Sequence, residues 1–426
     1  MRLTSLAPLA GLLMAALVEG RAQERPVQIL ETPAGPGSGM YALTPPQRPY
    51  RDGRFTEPEP ILSWIDPLAE GGHALRFATL QGDRWSEPRE VARGTNWFAN
   101  WADHPSVVWA GAGDDMLAHW LVRSGNGTSR YGYGVRIARS TDGGRQWTPL
   151  FSAAPEDTQD YAGFVAFSTV APAPGAAYLA PAAATVAHGA PAPEGHHAEG
   201  RKALVYTHFM PDGRAITDVL DPDTCSCCNV ATAFAGGRRL VVYRDHTPGE
   251  VRDISIVRWS GPGWTAPTPV HADGWVIPGC PTNGPAVSAD DDRVAVAWFT
   301  AAGGTPHVRV AFSADGGASF GPPTDVDDGA PIGWAGLVLT DEGDAIVSWL
   351  EGRPGGGGQI RVRRVREKGG PGEPLVVAAT KSGRATGIPQ ISRSGSRLVL
   401  AWRDEHVRTA VVPITAVGPP APLPAR

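Results

Sequence analysis

Ala286-Val-Ser, Val294-Ala-Val-Ala-Trp298 and Val308-Arg-Val-Ala-Phe312 run in order into Ser313-Ala-Asp315-Gly-Gly317-Ala-Ser-Phe320. Three short apolar runs bounded by turn residues read as three β-strands. The stretch that follows reads as a tight turn. Its aspartate accepts hydrogen bonds from the turn's own amides, and its glycines supply positive φ. The same turn stands at Ser140-Thr-Asp142-Gly-Gly144-Arg-Gln-Trp147.

The second strand of this unit recurs along the chain. Ile61-Leu-Ser-Trp64, Met116-Leu-Ala-His-Trp120, Ala203-Leu-Val-Tyr206, Leu240-Val-Val-Tyr243, Ile346-Val-Ser-Trp349 and Leu398-Val-Leu-Ala-Trp402 also end in an aromatic residue. Four intervals between these aromatics lie between 51 and 56 residues; the other two are 86 and 37. Several short strands per period of about 40 to 50 residues mark a β-propeller. The expected fold is all-β, a propeller of four-stranded blades, seven by the strand count and alternatively six. Val27-Gln-Ile-Leu30 can supply the outer strand of the last blade and close the ring. The domain reading is a signal peptide at 1–22, a leader at 23–56, a propeller at 57–415 and a Pro-rich tail at 416–426. An Ala/Pro-rich insertion at 171–200 fills the wide interval and is read between a first and a second strand, away from the ligand face.

The turn at Asp142 and Asp315 resembles the Asp box, S-x-D-x-G-x-x-W/F, of sialidase-like (BNR-repeat) propellers. That resemblance implies the propeller fold, usually with six blades. It gives these two aspartates a structural role, because the turn lies away from the ligand face. The cysteine segments described below are also similar to those of a group of secreted sialidase-like proteins. The chain would be a non-standard member, with a Cys-Ser-Cys-Cys segment.

Composition and the amino end set the compartment. Arg2 precedes an apolar stretch from Leu6 to Val18, and small residues follow to Ala22, the pattern of an export signal. The expected location is secreted or periplasmic, where disulfides persist. No later stretch is long and apolar enough to span a bilayer. A net charge of −5 leaves no basic footprint for nucleic acid. Asn126-Gly-Thr128 is a glycosylation sequon, read as idle.

Propeller topology sorts the loops. Connections from an outer strand to the next inner strand, and from second to third strands, share the ligand face, and function concentrates in such loops. The first set holds Asn96 to His104, Asp157 to Tyr161, Asp223-Thr-Cys225-Ser-Cys227-Cys228-Asn229, Pro278-Gly-Cys280-Pro-Thr-Asn283, Ile332-Gly-Trp334 and Ser382-Gly-Arg384. The second holds Asp66, His208, Arg244-Asp245-His246, Arg252-Asp253, His307, Glu351, Asp404 and His406. All four cysteines thus fall in adjacent loops of one face.

In an extended segment Cys225 and Cys227 point together and Cys228 points away. Cys280 joins the pair from the next blade, and His104 or His246 complete a soft site for copper or zinc. Two disulfides, or redox chemistry, use the same residues. A bridge to Cys280 would staple neighbouring blades into a protein-interaction scaffold. Trp101, Trp275, Asn283 and Trp334 are candidates to floor a small-molecule or glycan pocket.

The family resemblance implies a glycoside hydrolase as the alternative. Asp103, Asp245 or Glu351 would then act as acid or base, and Arg244, Arg252 and Arg384 would bind an anion. The Arg-Ile-Pro segment usual near the amino end of sialidases is absent, and no Tyr–Glu pair is placed by motif.

Overall fold

The computed structural model describes residues 26–419 apart from 45–49, 52–53, 56–59, 112, 125–131, 154–159, 170–172, 183–200, 260 and 384–385. The signal stretch, the Asn126 sequon, Asp157, Arg384 and the end of the Pro-rich tail therefore lie outside the described residues.

The chain is a seven-bladed β-propeller of four-stranded antiparallel sheets. Blade 1 is built from Gly39–Thr44, Ile61–Pro67, His73–Gln81 and Arg89–Gly94, from the axis outward. Blade 2 follows with Ser106–Trp109, Met116–Arg123, Tyr133–Ser140 and Thr148–Ala153. Blades 3 to 6 begin at the inner strands Gly163–Ser168, Ala231–Ala235, Ala286–Asp290 and Pro331–Leu339. In blade 7, Gln390–Ser394, Arg397–Arg403 and Val407–Pro413 take their outer strand from Gln28–Leu30, with Gln28 opposite Val411. The leader thus closes the ring and also supplies the inner strand of blade 1. Among the described residues no helix is long and apolar enough to cross a membrane.

Blade 3 departs from the sequence reading. Tyr206 lies on its third strand, Lys202–Phe209, and the second strand is Gly175–Pro181, inside the presumed insertion. Tyr178 takes the anchor position, and the intervals of 86 and 37 become 58 and 65. The second strand ends at Pro181 and the third begins at Lys202, opposite it. His208, placed on the ligand face by the sequence reading, ends the third strand at the opposite face and pairs with Asp218 at 3.1 Å.

Seven apolar clusters hold the ring, each spanning two adjacent blades. The anchors Trp64, Trp298, Trp349 and Tyr243 are wholly buried among them. An aromatic side chain that buries 150–250 Å² contributes on the order of 5 kcal/mol at about 25 cal/mol/Å². A buried indole N–H needs an acceptor, and three blades supply it two residues further along the chain, in or just past the second strand. Trp64 donates to Asp66 at 2.9 Å, Trp349 to Glu351 at 2.6 Å and Trp402 to Asp404 at 3.3 Å.

Both Asp-box turns join third to outer strands. Asp142 Oδ1 accepts the amides of Arg145 and Gln146, and Asp315 Oδ1 those of Ala318 and Ser319. Gly144 and Gly317 sit at φ +83° and +80° with side chains of the preceding blade close beneath them, Phe77 under Gly144 and Ile256 under Gly317. A side chain there would be strained and crowded.

The inner strands surround a channel of about 390 Å³. Those of blades 1, 3 and 6 carry bulges after Gly39, Gly163 and Gly333. Met40, Phe164 and Trp334 take positive φ in these bulges, an uncommon backbone for large residues. Trp334 lines the channel and meets Trp101 edge-on, ring centres 5.9 Å apart.

Candidate thiol site

The first cysteine loop leaves blade 3 at Thr224 and enters blade 4 at Ala231. It is pinned at its start: the Cys225 amide and the Thr224 hydroxyl both donate to the Arg244 carbonyl, at 3.1 and 2.8 Å. A turn at Ser226–Cys227 then folds the loop back. The second cysteine loop passes so near the first that a β-carbon on Gly284 would overlap the Asn229 carbonyl. Only glycine permits that approach.

Arg244 is the post between the two loops. Its guanidinium donates to the carbonyls of Asn283, Arg252 and Phe299 at 2.9, 2.6 and 2.7 Å, and stacks over Trp275 at 4.8 Å. The Asn283 side chain accepts the Trp334 amide at 2.8 Å, which ties the Cys280 loop to the centre of the ring.

The four sulfurs meet here. Cys225 lies 2.9 Å from Cys228 and 3.9 Å from Cys227, and Cys227 is disulfide-bonded to Cys280. Cys225 and Cys228 are free thiols, each 1 % exposed; Cys227 is 9 % exposed and Cys280 stands in solvent. The alternation expected of an extended segment fails. The turn brings Cys228 back to Cys225, while Cys227 reaches the neighbouring loop. The Cys228 thiol lowers the pKa of Cys225 by hydrogen bonding to it; burial opposes this, and the Cys227 amide, Arg244 and Arg252 add to the lowering. Burial raises Cys228. Cys225 is therefore the sulfur favoured as thiolate.

Aromatic residues wall the sulfurs. Trp101, Tyr161 and Phe164 pack in their apolar cluster. The Tyr161 hydroxyl donates to the Ser226 carbonyl, and its ring stacks on Tyr133, which stacks on Phe98, with centres 4.9 and 4.0 Å apart. Lys202, almost fully buried, places its ammonium 3.6 Å from the Tyr161 ring centre and pairs with Asp160. Asp103 accepts the Phe164 amide at 2.9 Å and the Tyr133 hydroxyl at 3.2 Å, and burial pushes its pKa up to about 7.

The remaining candidates have other duties. His104 is turned away from the sulfurs, with Nε2 on the Trp101 carbonyl at 2.6 Å and Nδ1 on Gln390 at 3.1 Å. His246 bonds Asp223 at 3.0 Å and faces Glu250 at 3.4 Å. Among the described residues the sulfur group gathers Cys225, Cys227 and Cys228 and neither histidine. Glu351 is 2 % exposed; besides the Trp349 indole it accepts the Ala330 amide at 2.9 Å. Asp245 accepts the Ser255 hydroxyl and the His246 amide. Arg252 donates to the Ile277 carbonyl and Glu250. Trp275, Asn283 and Trp334 are buried, and Trp101 is half-buried.

Two features escaped the sequence reading. The Cys225-Ser-Cys227-Cys228 run contains a Cys-x-x-Cys pair, 225 with 228, visible in the spacing. The Trp-x-Asp/Glu pattern at 64, 349 and 402 marks its carboxylates as indole acceptors.

No known family profile matches the chain, and no curated protein does. Several solved structures are similar to it. The Hadza microbial sialidase Hz136 shows 12 % identity over 81 % of this chain and 74 % of its own, with a TM-score of 0.46. The Penicillium chrysogenum α-L-arabinanase, complexed with arabinobiose, shows 15 % over 73 % and 94 %, TM-score 0.40. The polysaccharide lyase Uly1 shows 10 % over 88 % and 91 %, TM-score 0.47.

Proposed function

We propose that the protein is an exported propeller that holds a soft metal ion, copper(I) or zinc, in its cysteine pocket. One observation carries the reading: the sulfurs of Cys225, Cys227 and Cys228 all lie within 4.8 Å of one another, and all three residues are buried. Thiolates select such ions by softness. Tetrahedral zinc with Zn–S bonds of about 2.3 Å sets its sulfurs about 3.8 Å apart. The 3.9 Å between Cys225 and Cys227 suits that geometry; the 2.9 Å to Cys228 requires a small opening. Arg244 and Arg252 offset the negative charge of a thiolate set. Cys227 is a ligand only when its bond to Cys280 is reduced, so the metal-holding form is the reduced one, with Cys280 available as a fourth sulfur. Export rests on the Leu6 to Val18 stretch. The hydrolase alternative gains no support from Glu351 or Arg244, whose polar atoms are committed to the scaffold, or from Arg252, which is taken up by Ile277, Glu250 and the Cys225 sulfur.

The test is metal content after reduction with a phosphine, loading with zinc or copper(I), and gel filtration without chelator. About one ion per chain is expected, with affinity reduced at least tenfold by Cys225→Ser or Cys228→Ser. A reduced, folded protein that retains no ion would end the reading.

A further inference from the structure

The sulfurs are ordered by depth. Cys280 stands in solvent, Cys227 lies just beneath it, and Cys225 and Cys228 are buried behind. Each is in reach of the next: Cys280 is bonded to Cys227, Cys227 is 3.9 Å from Cys225, and Cys225 is 2.9 Å from Cys228. A surface disulfide backed by a buried dithiol is an arrangement that neither a structural staple nor a metal site requires. We infer that the four cysteines form a two-electron thiol–disulfide relay, with Cys280 as the point of exchange with an external disulfide.

The steps balance without any outside oxidant or reductant until the surface is reached. The Cys225 thiolate attacks the Cys227 sulfur. The Cys225–Cys227 bond forms, the Cys227–Cys280 bond breaks, and Cys280 leaves with the electron pair and takes up the proton that Cys225 gave. Cys228 then attacks Cys225 and expels Cys227, which takes the second proton. The product has a Cys225–Cys228 disulfide and a Cys227/Cys280 dithiol, two electrons nearer solvent. Attack by a thiolate on a disulfide sulfur is the general route for such exchange. An external molecule R–S–S–R is next attacked by Cys280, releasing one R–SH. Cys227 then attacks the mixed disulfide at Cys280, releasing the second R–SH and restoring Cys227–Cys280.

The relay uses the same pocket as the metal reading but needs no metal, and the two fail separately. The metal reading fails in the loading experiment, the relay in chelator-treated protein. There the full chain is incubated with cystamine, the cysteamine released is counted, and the cysteine pairings are mapped by peptide mass spectrometry.

Wild type is expected to release two cysteamines per chain as Cys225–Cys228 forms. Cys228→Ser stops after the first exchange: Cys225–Cys227 forms, and Cys280 is found carrying a half-cystamine. Cys225→Ser slows the release at least tenfold. An unreacted wild type, or a half-cystamine on Cys225 or Cys228 with Cys227–Cys280 intact, overturns the relay. The Cys228→Ser trap is a gain of a specific adduct, so it decides the matter even where Cys225→Ser disturbs folding.

Discussion

Asp103 shows how a single residue on the ligand face works for the fold. Its carboxyl holds the amide of Phe164, a bulky residue at φ +57°, and a tyrosine of the ring stack. Burial pushes its pKa up to about 7, from about 3.9 in an unfolded chain. The folded state therefore binds the proton more tightly. The stability it contributes is full below about pH 4 and is lost as pH rises through 7. Asp103→Asn retains an acceptor for the Phe164 amide and removes the ionisation. Urea unfolding at pH 5 and pH 8 should show wild type losing on the order of 2 kcal/mol more than the variant across that interval. Equal losses would show that Asp103 does not titrate there.

At the scale of strands, most of the blade pattern was legible because it rests on short-range physics. Apolar runs ending in an aromatic mark the second strand wherever the run is long and β-branched, as in Val294 to Trp298. Blade 3 escaped because Gly175–Pro181 is made of alanine, glycine and proline around Tyr178 and Leu179, residues of poor strand propensity. It is a strand because partners pair with it on both sides. The carboxylates were misleading for the opposite reason. Asp66, Glu351 and Asp404 do stand where second strands give way to third strands, but the indole that claims each one sits just two residues back. Asp66→Ala strands the Trp64 indole and releases Arg76, bonded at 3.2 Å. A loss of about 1–3 kcal/mol is expected in urea unfolding, with the count of free thiols unchanged. The cysteine loops do join an outer strand to the next inner strand, as read, yet their pairing depended on a loop pinned at its start by Arg244, a contact between blades that local sequence does not encode.

For the molecule as a whole, closure of the ring is the decisive contact. Gln28–Leu30 covers the outer edge of Val407–Pro413, and Leu30 is buried in the cluster between blades 7 and 1. A chain beginning at residue 32 leaves that edge bare, a ready template for pairing with another chain. Its stability should fall by about 3 kcal/mol, read as a lowered Tm, and light scattering should show association absent from the full chain. An unchanged Tm would mean that the ring holds without its clasp.

The same clasp sets an order of events in time. A chain made from its amino end carries residues 28–30 as an orphan strand until residue 413 has emerged. The first six blades can assemble as they appear, each against the one before it, but the seventh waits on residues 28–30, made long before it. A prematurely terminated product never finds this partner. It keeps an open edge that proteases and chaperones can sense, whereas a finished ring reports that translation has passed residue 413.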